Sequence, residues 1–120
     1  VKISFGAADA LSLQAHSQDC IFTINTIYFW EHPQKVLQEF KRVLKPNGRF
    51  VLGLRPEAYM KLYPFTAYGF QLYNESRLQT LLHENGFTLE SLTLHEEPNR
   101  ILNGLSIPMA SWVAEATITP

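Results

Sequence analysis

A single cysteine, Cys20, excludes an internal disulfide and a cysteine-rich zinc site. The four histidines, His16, His32, His83 and His95, are scattered, and no pair has the i, i+4 spacing of two metal ligands on one helix. No apolar run approaches the roughly 20 residues that cross a bilayer. The opening Val-Lys-Ile-Ser-Phe lacks a basic region followed by an apolar stretch, so it is no signal peptide. Charge of neither sign dominates: a formal net charge of −1 gives no electrostatic case for a nucleic-acid or membrane-surface partner. Repeats, low-complexity segments and a nucleophile-elbow serine motif are also missing. The chain has no initiating Met and opens directly into a strand-like pattern, as expected of a piece of something longer. With no cysteine pair to oxidise, a reducing cytoplasm is the natural compartment. What is present is a globular composition, 46% hydrophobic and 18% charged over 120 residues. That suits one domain, smaller than a full enzyme domain and burying less of its surface.

Ile3 and Phe5 alternate with Lys2 and Ser4 as a short strand does, and Gly6–Ala10 reads as a loop. Cys20-Ile21-Phe22-Thr23-Ile24 is a continuous apolar and β-branched run, the pattern of a strand buried on both faces. Cys20 is accordingly expected to be buried and inert. Val36, Leu37, Phe40, Val43 and Leu44 then form a helical stripe, with Pro33 suited to its first turn. Lys41, Arg42 and Lys45 crowd its C-terminal end, where cations suit the dipole. Pro46-Asn47-Gly48 forces a turn into a second strand, Phe50–Leu54. Strand, helix and strand with short loops make a βαβ unit, hence a parallel sheet. An aromatic-rich stretch without a period, Pro56–Tyr73, comes next. Asn74 or Ser76 can cap a further helix with Leu78, Leu81 and Leu82 as its stripe, and Gly86 supplies a left-handed stop. Phe87–His95 and Trp112–Ile118 read as strands, Glu97–Pro108 as a loop between them. With no helix between them, these two strands are expected to pair antiparallel at a sheet edge.

Arg42-Val43-Leu44-Lys45-Pro46-Asn47-Gly48-Arg49-Phe50 resembles the Arg-Val-Leu-Lys-Pro-Gly-Gly segment of ubiquinone/menaquinone-biosynthesis-type methyltransferases (methyltransferase type 11), a branch of the class I S-adenosylmethionine-dependent fold. Asn25-Thr26-Ile27-Tyr28-Phe29-Trp30-Glu31-His32-Pro33 is similar to that family's stretch just after its fourth strand. Tyr73-Asn74-Glu75-Ser76 and Leu81–Phe87 are similar to its helix ending in Ala-Gly-Phe. The resemblance covers Val1 to about Glu57 and recurs at Tyr73–Phe87. It implies an α/β fold: a partial doubly wound, Rossmann-like methyltransferase sheet, mostly parallel with an antiparallel last strand pair. Residues 1–120 would be the C-terminal part of one methyltransferase domain. The family's first strand, Gly-rich loop and acidic end of its second strand have no counterpart in this sequence. In family sheet order those first two strands separate Ile3–Phe5 from Ile21–Ile24. The first segment must therefore pair elsewhere, detach, or pair with another copy, and the open edge of Ile21–Ile24 invites self-association.

The resemblance also places candidate sites. Gly6–Leu13 is similar to the family's loop whose acid and following backbone N–H read the adenine edge. Ala7 stands where the acid should be, Ala8 would supply the N–H, and Asp9 is the nearby carboxylate; a loop Asp capping a turn is the plainer reading. Asn25, Thr26 and Ile27 follow a parallel strand's C-terminal end, where open α/β sheets bind ligands, so they are candidates for the cofactor; local capping is the plainer role. Tyr28, Phe29 and Trp30 follow immediately; aromatic faces attract a sulfonium and exclude water, so one of the three is expected to touch a ligand, with Phe29 and Trp30 the candidates for the acceptor, although core packing is the commoner job. Tyr59 and Tyr68 represent the aromatic stretch, as a cover for the acceptor pocket or as a satellite cluster.

The implied function is methyl transfer from S-adenosylmethionine to a small-molecule acceptor in the intact protein, by alignment and desolvation, with no metal and no assigned catalytic base. The isolated chain, without the Gly-rich loop, is expected to bind the cofactor weakly or not at all and to be inactive. A different class remains: a non-catalytic α/β interaction module self-associating through its sheet edge. A nicotinamide-dependent oxidoreductase half is disfavoured, because no Tyr-x-x-x-Lys pair lies on the helix where short-chain dehydrogenases place one.

Overall fold

The computed structural model describes residues 2–120; Val1, the first residue of the expected domain, lies outside them. The strands β1 (Gln18–Ile24), β2 (Leu44–Leu54), β3 (Phe87–Leu102) and β4 (Leu105–Ile118) form one sheet in the order β1-β2-β4-β3. β1 runs parallel to β2, and β4 is antiparallel to both β2 and β3. The sheet is thus the expected mixed one, a parallel βαβ start closed by an antiparallel last pair.

The crossover helix α1 (Pro33–Val43) starts on Pro33, whose missing N–H costs nothing in a first turn. It buries Val36, Leu37, Phe40 and Val43. After the four-residue helix α2 (Glu57–Met60) comes α3 (Glu75–Glu84), capped by Asn74, whose side chain accepts from the Arg77 backbone N–H at 2.8 Å. α3 buries Leu78 and Leu82 and stops before Gly86, held at φ +84°. Both long helices pack on the sheet face that carries Phe50, Leu52, Leu54, Ala114 and Ala116. An aromatic series runs through this core from Trp30 to Phe40 (5.8 Å between centroids) and to Phe50 (5.2 Å), both edge-on, and on to Phe87 (5.6 Å, tilted), tying α1 to β2 and β3.

Four expectations need correction. Residues 2–6 form no strand; Ile3 and Phe5 stand fully in solvent, so this segment has detached rather than paired. β1 is not buried on both faces. It lies at the sheet edge and the helices cover only one face, which leaves Cys20, Phe22 and Ile24 exposed. The Pro46-Asn47-Gly48 turn does not precede the strand but bulges within it: Lys45–Gly48 stand opposite the single residue Asp19 between the paired positions Gln18↔Leu44 and Cys20↔Arg49. The Lys45 ammonium closes that bulge on the Asp19 carboxylate at 2.8 Å. Finally, Glu97–Pro108 is no loop but the far end of a long hairpin. Its turn is Asn103-Gly104, both residues with left-handed φ (51° and 78°), between the paired Leu102 and Leu105. Pro98 falls at the register irregularity between Glu97 and Arg100, where no ladder N–H is required of it.

Candidate functional site

Parallel strands present their carboxyl ends side by side, and here β1 hands over to Asn25 and β2 to Arg55. The Asn25 N–H continues the ladder to the Gly53 carbonyl at 2.9 Å, but Asn25 itself turns into the left-handed region at φ +55°. A short polar side chain tolerates that conformation better than most. The turn Ile27–Phe29 then directs Tyr28 inward and Phe29 outward: Tyr28 is 2% exposed and Phe29 59%.

Tyr28 organises the strand ends. Its hydroxyl donates to the Asn25 side-chain carbonyl at 3.0 Å and accepts from the Arg55 backbone N–H. Its carbonyl receives the Gln71 backbone N–H at 2.9 Å, and the Gln71 side chain donates to the Trp30 carbonyl at 2.6 Å. The aromatic stretch is thereby fastened over the strand ends. Burial pushes the Tyr28 phenol above its ordinary value of 10.0, against the smaller opposing effects of the Arg55 N–H and guanidinium charge. It is therefore a neutral hydroxyl at neutral pH.

Above these groups opens a cleft of about 270 Å³. Asn25, Tyr28 and Arg55 form its base; Phe29, Met60, Tyr63, Phe65 and Phe70 form its walls; Met109 and Arg100 of the β3–β4 hairpin close its far side. The Phe29 and Phe70 rings meet at 4.8 Å, and Phe65 meets Phe70 at 5.5 Å. The Arg55 guanidinium is held by the Glu97 carboxylate at 2.6 Å and by the Ala110 carbonyl at 3.4 Å. Such a cleft suits a planar or apolar molecule with one polar end. Behind Phe29 lies a second hollow of about 220 Å³, lined by Ala8, Asp9, Phe29, Trp30, Glu31, His32 and Val36. Phe29 lines both spaces.

Ala8, Asp9, Phe29 and Trp30 thus come together around the hollow, and Asn25 and Phe29 around the cleft. Trp30 keeps most of its surface in the core against Phe40. Thr26 shares a hydrogen bond of 2.6 Å with the Thr23 hydroxyl, and its carbonyl accepts the Phe29 N–H at 3.0 Å. The Ile27 side chain is in the core, 1% exposed, so only its backbone faces the strand ends. Tyr59 and Tyr68 line neither space, and Tyr68 is 81% exposed; Tyr63, Phe65 and Phe70 stand in the cleft instead. Sequence reasoning missed Arg55, although its place directly after a strand was the same signal that singled out Asn25. The loop carrying Ala8 and Asp9 is itself anchored. Glu39 of α1 accepts from the Leu11 N–H at 2.8 Å, and Arg42 donates to the carbonyls of Leu11 (3.1 Å) and Leu13 (2.9 Å). Among the described residues no cluster of His, Cys, Asp and Glu suits a metal, and no helix is long and apolar enough to cross a membrane.

Residues 1–52 match the family model described as a methyltransferase domain. No curated protein sequence matches the chain. Among solved structures, a S-adenosylmethionine-dependent methyltransferase from Methanosarcina mazei is similar over 95% of this chain and 65% of its own, with 18% identity and a TM-score of 0.74. One from Thermotoga maritima is similar over 95% and 62%, with 20% identity and a TM-score of 0.72. A chain in the complex between the Haloferax volcanii Trm112 methyltransferase activator and its methyltransferase partner aligns over 96% and 60%, with 13% identity and a TM-score of 0.78. The chain spans less than two thirds of the length of each of these three. Its fold is the Rossmann-like fold of S-adenosylmethionine-dependent methyltransferases, with the methyltransferase-domain match lying in the βαβ half that carries Asp9, Asn25 and Phe29.

Proposed function

We propose that these 120 residues are the C-terminal part of one class I methyltransferase domain of the ubiquinone/menaquinone-biosynthesis type, and that the intact protein methylates a small molecule held in the aromatic cleft. One observation carries the reading: Phe29 lines both the hollow of Ala8 and Asp9 and the cleft beside Asn25 and Tyr28. The donor set of the hollow fits an adenine: a carboxylate for its amino group, a backbone N–H and aromatic faces. No Gly-rich strand–helix loop occurs in the sequence to hold the methionine portion. When bound, S-adenosylmethionine supplies a methyl group activated by its sulfonium. Asp9 and the Ala8 N–H hold the adenine side, and Asn25 with the Thr26 backbone faces the middle of the cofactor. Phe29 and Phe70 exclude water from the space between hollow and cleft, where loss of solvent favours transfer. The neutral Tyr28 hydroxyl fixes Asn25 and needs to exchange no proton. The single exposed cysteine suits a reducing cytoplasm.

An NMR titration of the chain with millimolar S-adenosylmethionine tests this. Shifts are expected at Asp9, Asn25 and Phe29, with a dissociation constant above about 1 mM, the level of a barely held ligand. Shifts confined to other residues would overturn the cofactor assignment. Sub-millimolar affinity would overturn the expectation that the isolated chain binds weakly.

A second reading is favoured by a separate observation. β1 is a sheet-edge strand with Phe22 73% and Ile24 62% exposed, which supports a self-associating, non-catalytic module. A concentration-independent monomer in light scattering excludes it.

A further inference from the structure

We infer that the acceptor of this cleft is a carboxylic acid with a planar apolar body, and that Arg100 receives its carboxylate. The inference rests on the proposed acceptor role of the cleft and adds a substrate class to it. The residues lining the cleft include two arginines, Arg55 and Arg100, and no Asp or Glu. The two differ in what holds them. Arg55 is neutralised by Glu97 at 2.6 Å and fixed further by the Ala110 carbonyl. Arg100 makes no ion pair among the described residues. Its backbone is placed by pairing with Ile107 across the hairpin, and its side chain stands exposed at the cleft lip. Ile107 and Met109 in turn pack with Tyr63, whose hydroxyl meets the Met109 sulfur.

One uncompensated guanidinium beside Phe65, Phe70, Met60 and Tyr63 matches one negative charge on an otherwise apolar molecule. A guanidinium offers two parallel N–H groups, which is the geometry a carboxylate accepts. Arg100 is exposed, so that pair is screened by water and gives selectivity more than affinity. A fully apolar acceptor would leave the exposed cation to water and gain nothing from it. A cationic acceptor would meet the like charge of Arg100. A doubly charged phosphate would need Arg55 as well, which Glu97 already occupies. At the opposite end the Tyr28–Asn25 pair leaves room for a hydroxyl or amine on the same molecule, next to Phe29 and the cofactor hollow.

The test uses 2-naphthoate and its neutral counterpart 2-naphthamide as probes of the chain by NMR titration. Naphthoate is expected to shift Phe29, Phe65, Phe70 and Arg100 and to bind about tenfold tighter than the amide, the size of one partly exposed charge-assisted hydrogen-bond pair. Arg100→Gln should remove that preference while leaving amide binding and the far-UV spectrum unchanged. Equal affinity for the two probes overturns the proposal, as does a preference that survives in R100Q. Binding of neither probe at the cleft residues also overturns it. These readouts do not involve the cofactor. A carboxylate preference with S-adenosylmethionine shifts only at other residues would leave the inference standing and the cofactor assignment refuted; cofactor shifts at Asp9, Asn25 and Phe29 without a carboxylate preference would do the reverse.

Discussion

The Tyr28 hydroxyl donates to the Asn25 side-chain carbonyl at 3.0 Å, and it also accepts the Arg55 backbone N–H, so one phenol joins the carboxyl ends of both parallel strands. Tyr28→Phe keeps the ring and its edge-on contact with Phe29 but removes both bonds. It leaves the Arg55 N–H without its partner, a loss of about 1–3 kcal/mol. A fall in melting temperature of about 5 °C or more is expected by calorimetry. A variant as stable as the parent would show that water replaces the phenol and that the hydroxyl does not organise the site.

The same phenol carries a pH dependence. Burial raises the Tyr28 and Tyr73 phenols above 10.0; the Arg77 guanidinium, 4.5 Å over the Tyr73 ring, opposes that shift only in part. A group whose folded pKa is raised binds its proton more tightly in the native state. Its contribution is therefore complete below the unfolded pKa near 10 and is lost as pH rises through the folded value. Urea midpoints are expected to fall above pH 10, and Y28F to fall less steeply there than the parent. Parallel curves for the two proteins would rule out Tyr28 as a source of the alkaline loss.

The loop bearing Ala8 and Asp9 is held by α1 through the Glu39–Arg42 pair rather than by the sheet. The Arg42 hydrogen bond holds the Glu39 carboxyl below its ordinary value of 4.5, assisted by the Leu11 N–H and the Arg42 charge and opposed by desolvation. A depressed carboxylate stabilises above its unfolded pKa, and the contribution is lost as pH falls through the folded value. Glu39→Ala is expected to raise hydrogen exchange at Leu11 several-fold while the amides of β2 stay protected. The parent should show the same loosening as pH falls through the lowered folded value, where that carboxylate takes up its proton. Unchanged exchange at Leu11 in E39A would mean that Arg42 alone holds the loop.

Phe50, 1% exposed, stands between Phe40 of α1 and Phe87 of β3 in the aromatic series. Phe50→Ala opens a cavity at the one place where helix, parallel strand and hairpin meet. A loss of about 3–5 kcal/mol follows from comparable core truncations. Denaturant titration is expected to find the variant largely unfolded, or with a midpoint reduced by more than half. A loss under about 1 kcal/mol would mean the core collapses around the gap.

Local interactions were readable from the sequence, and relations between distant elements were not. Pro33 and the Val36–Phe40 stripe announce α1, and Asn74 announces α3, because a cap and an amphipathic period are decided within a few residues. Cys20–Ile24 reads as a strand, but which of its faces is covered depends on where α1 and α3 lie. Pro98 and Pro108 made the hairpin look like a loop, although Asn103-Gly104 carried its turn signal. Asn25 was legible as a strand-end residue, and Arg55 equally so. The aromatic stretch has no period, so nothing in it separated Tyr63 and Phe70, which enter the cleft, from Tyr59 and Tyr68, which do not.

The uncovered sheet face makes the last prediction. Phe22 and Ile24 of β1, Val51 and Gly53 of β2, and Val113 of β4 line one apolar hollow on the side away from both long helices. β1 also offers a free edge of backbone donors and acceptors at the same place. An edge strand with exposed apolar side chains is the arrangement natural sheets avoid, because it templates pairing with another chain, and the one exposed charge of β1, Asp19, lies at its far end and is paired with Lys45. The chain alone is therefore expected to self-associate, with a scattering mass that rises with concentration. Phe22→Lys combined with Ile24→Lys places two like charges on that face at every approach of a second copy. Both residues are mostly exposed, so the fold itself should change by no more than about 0.5 kcal/mol per site. The double variant should scatter as a monomer across the range where the parent does not. A parent that stays monomeric, or a variant that associates equally, would show that this edge is not the contact.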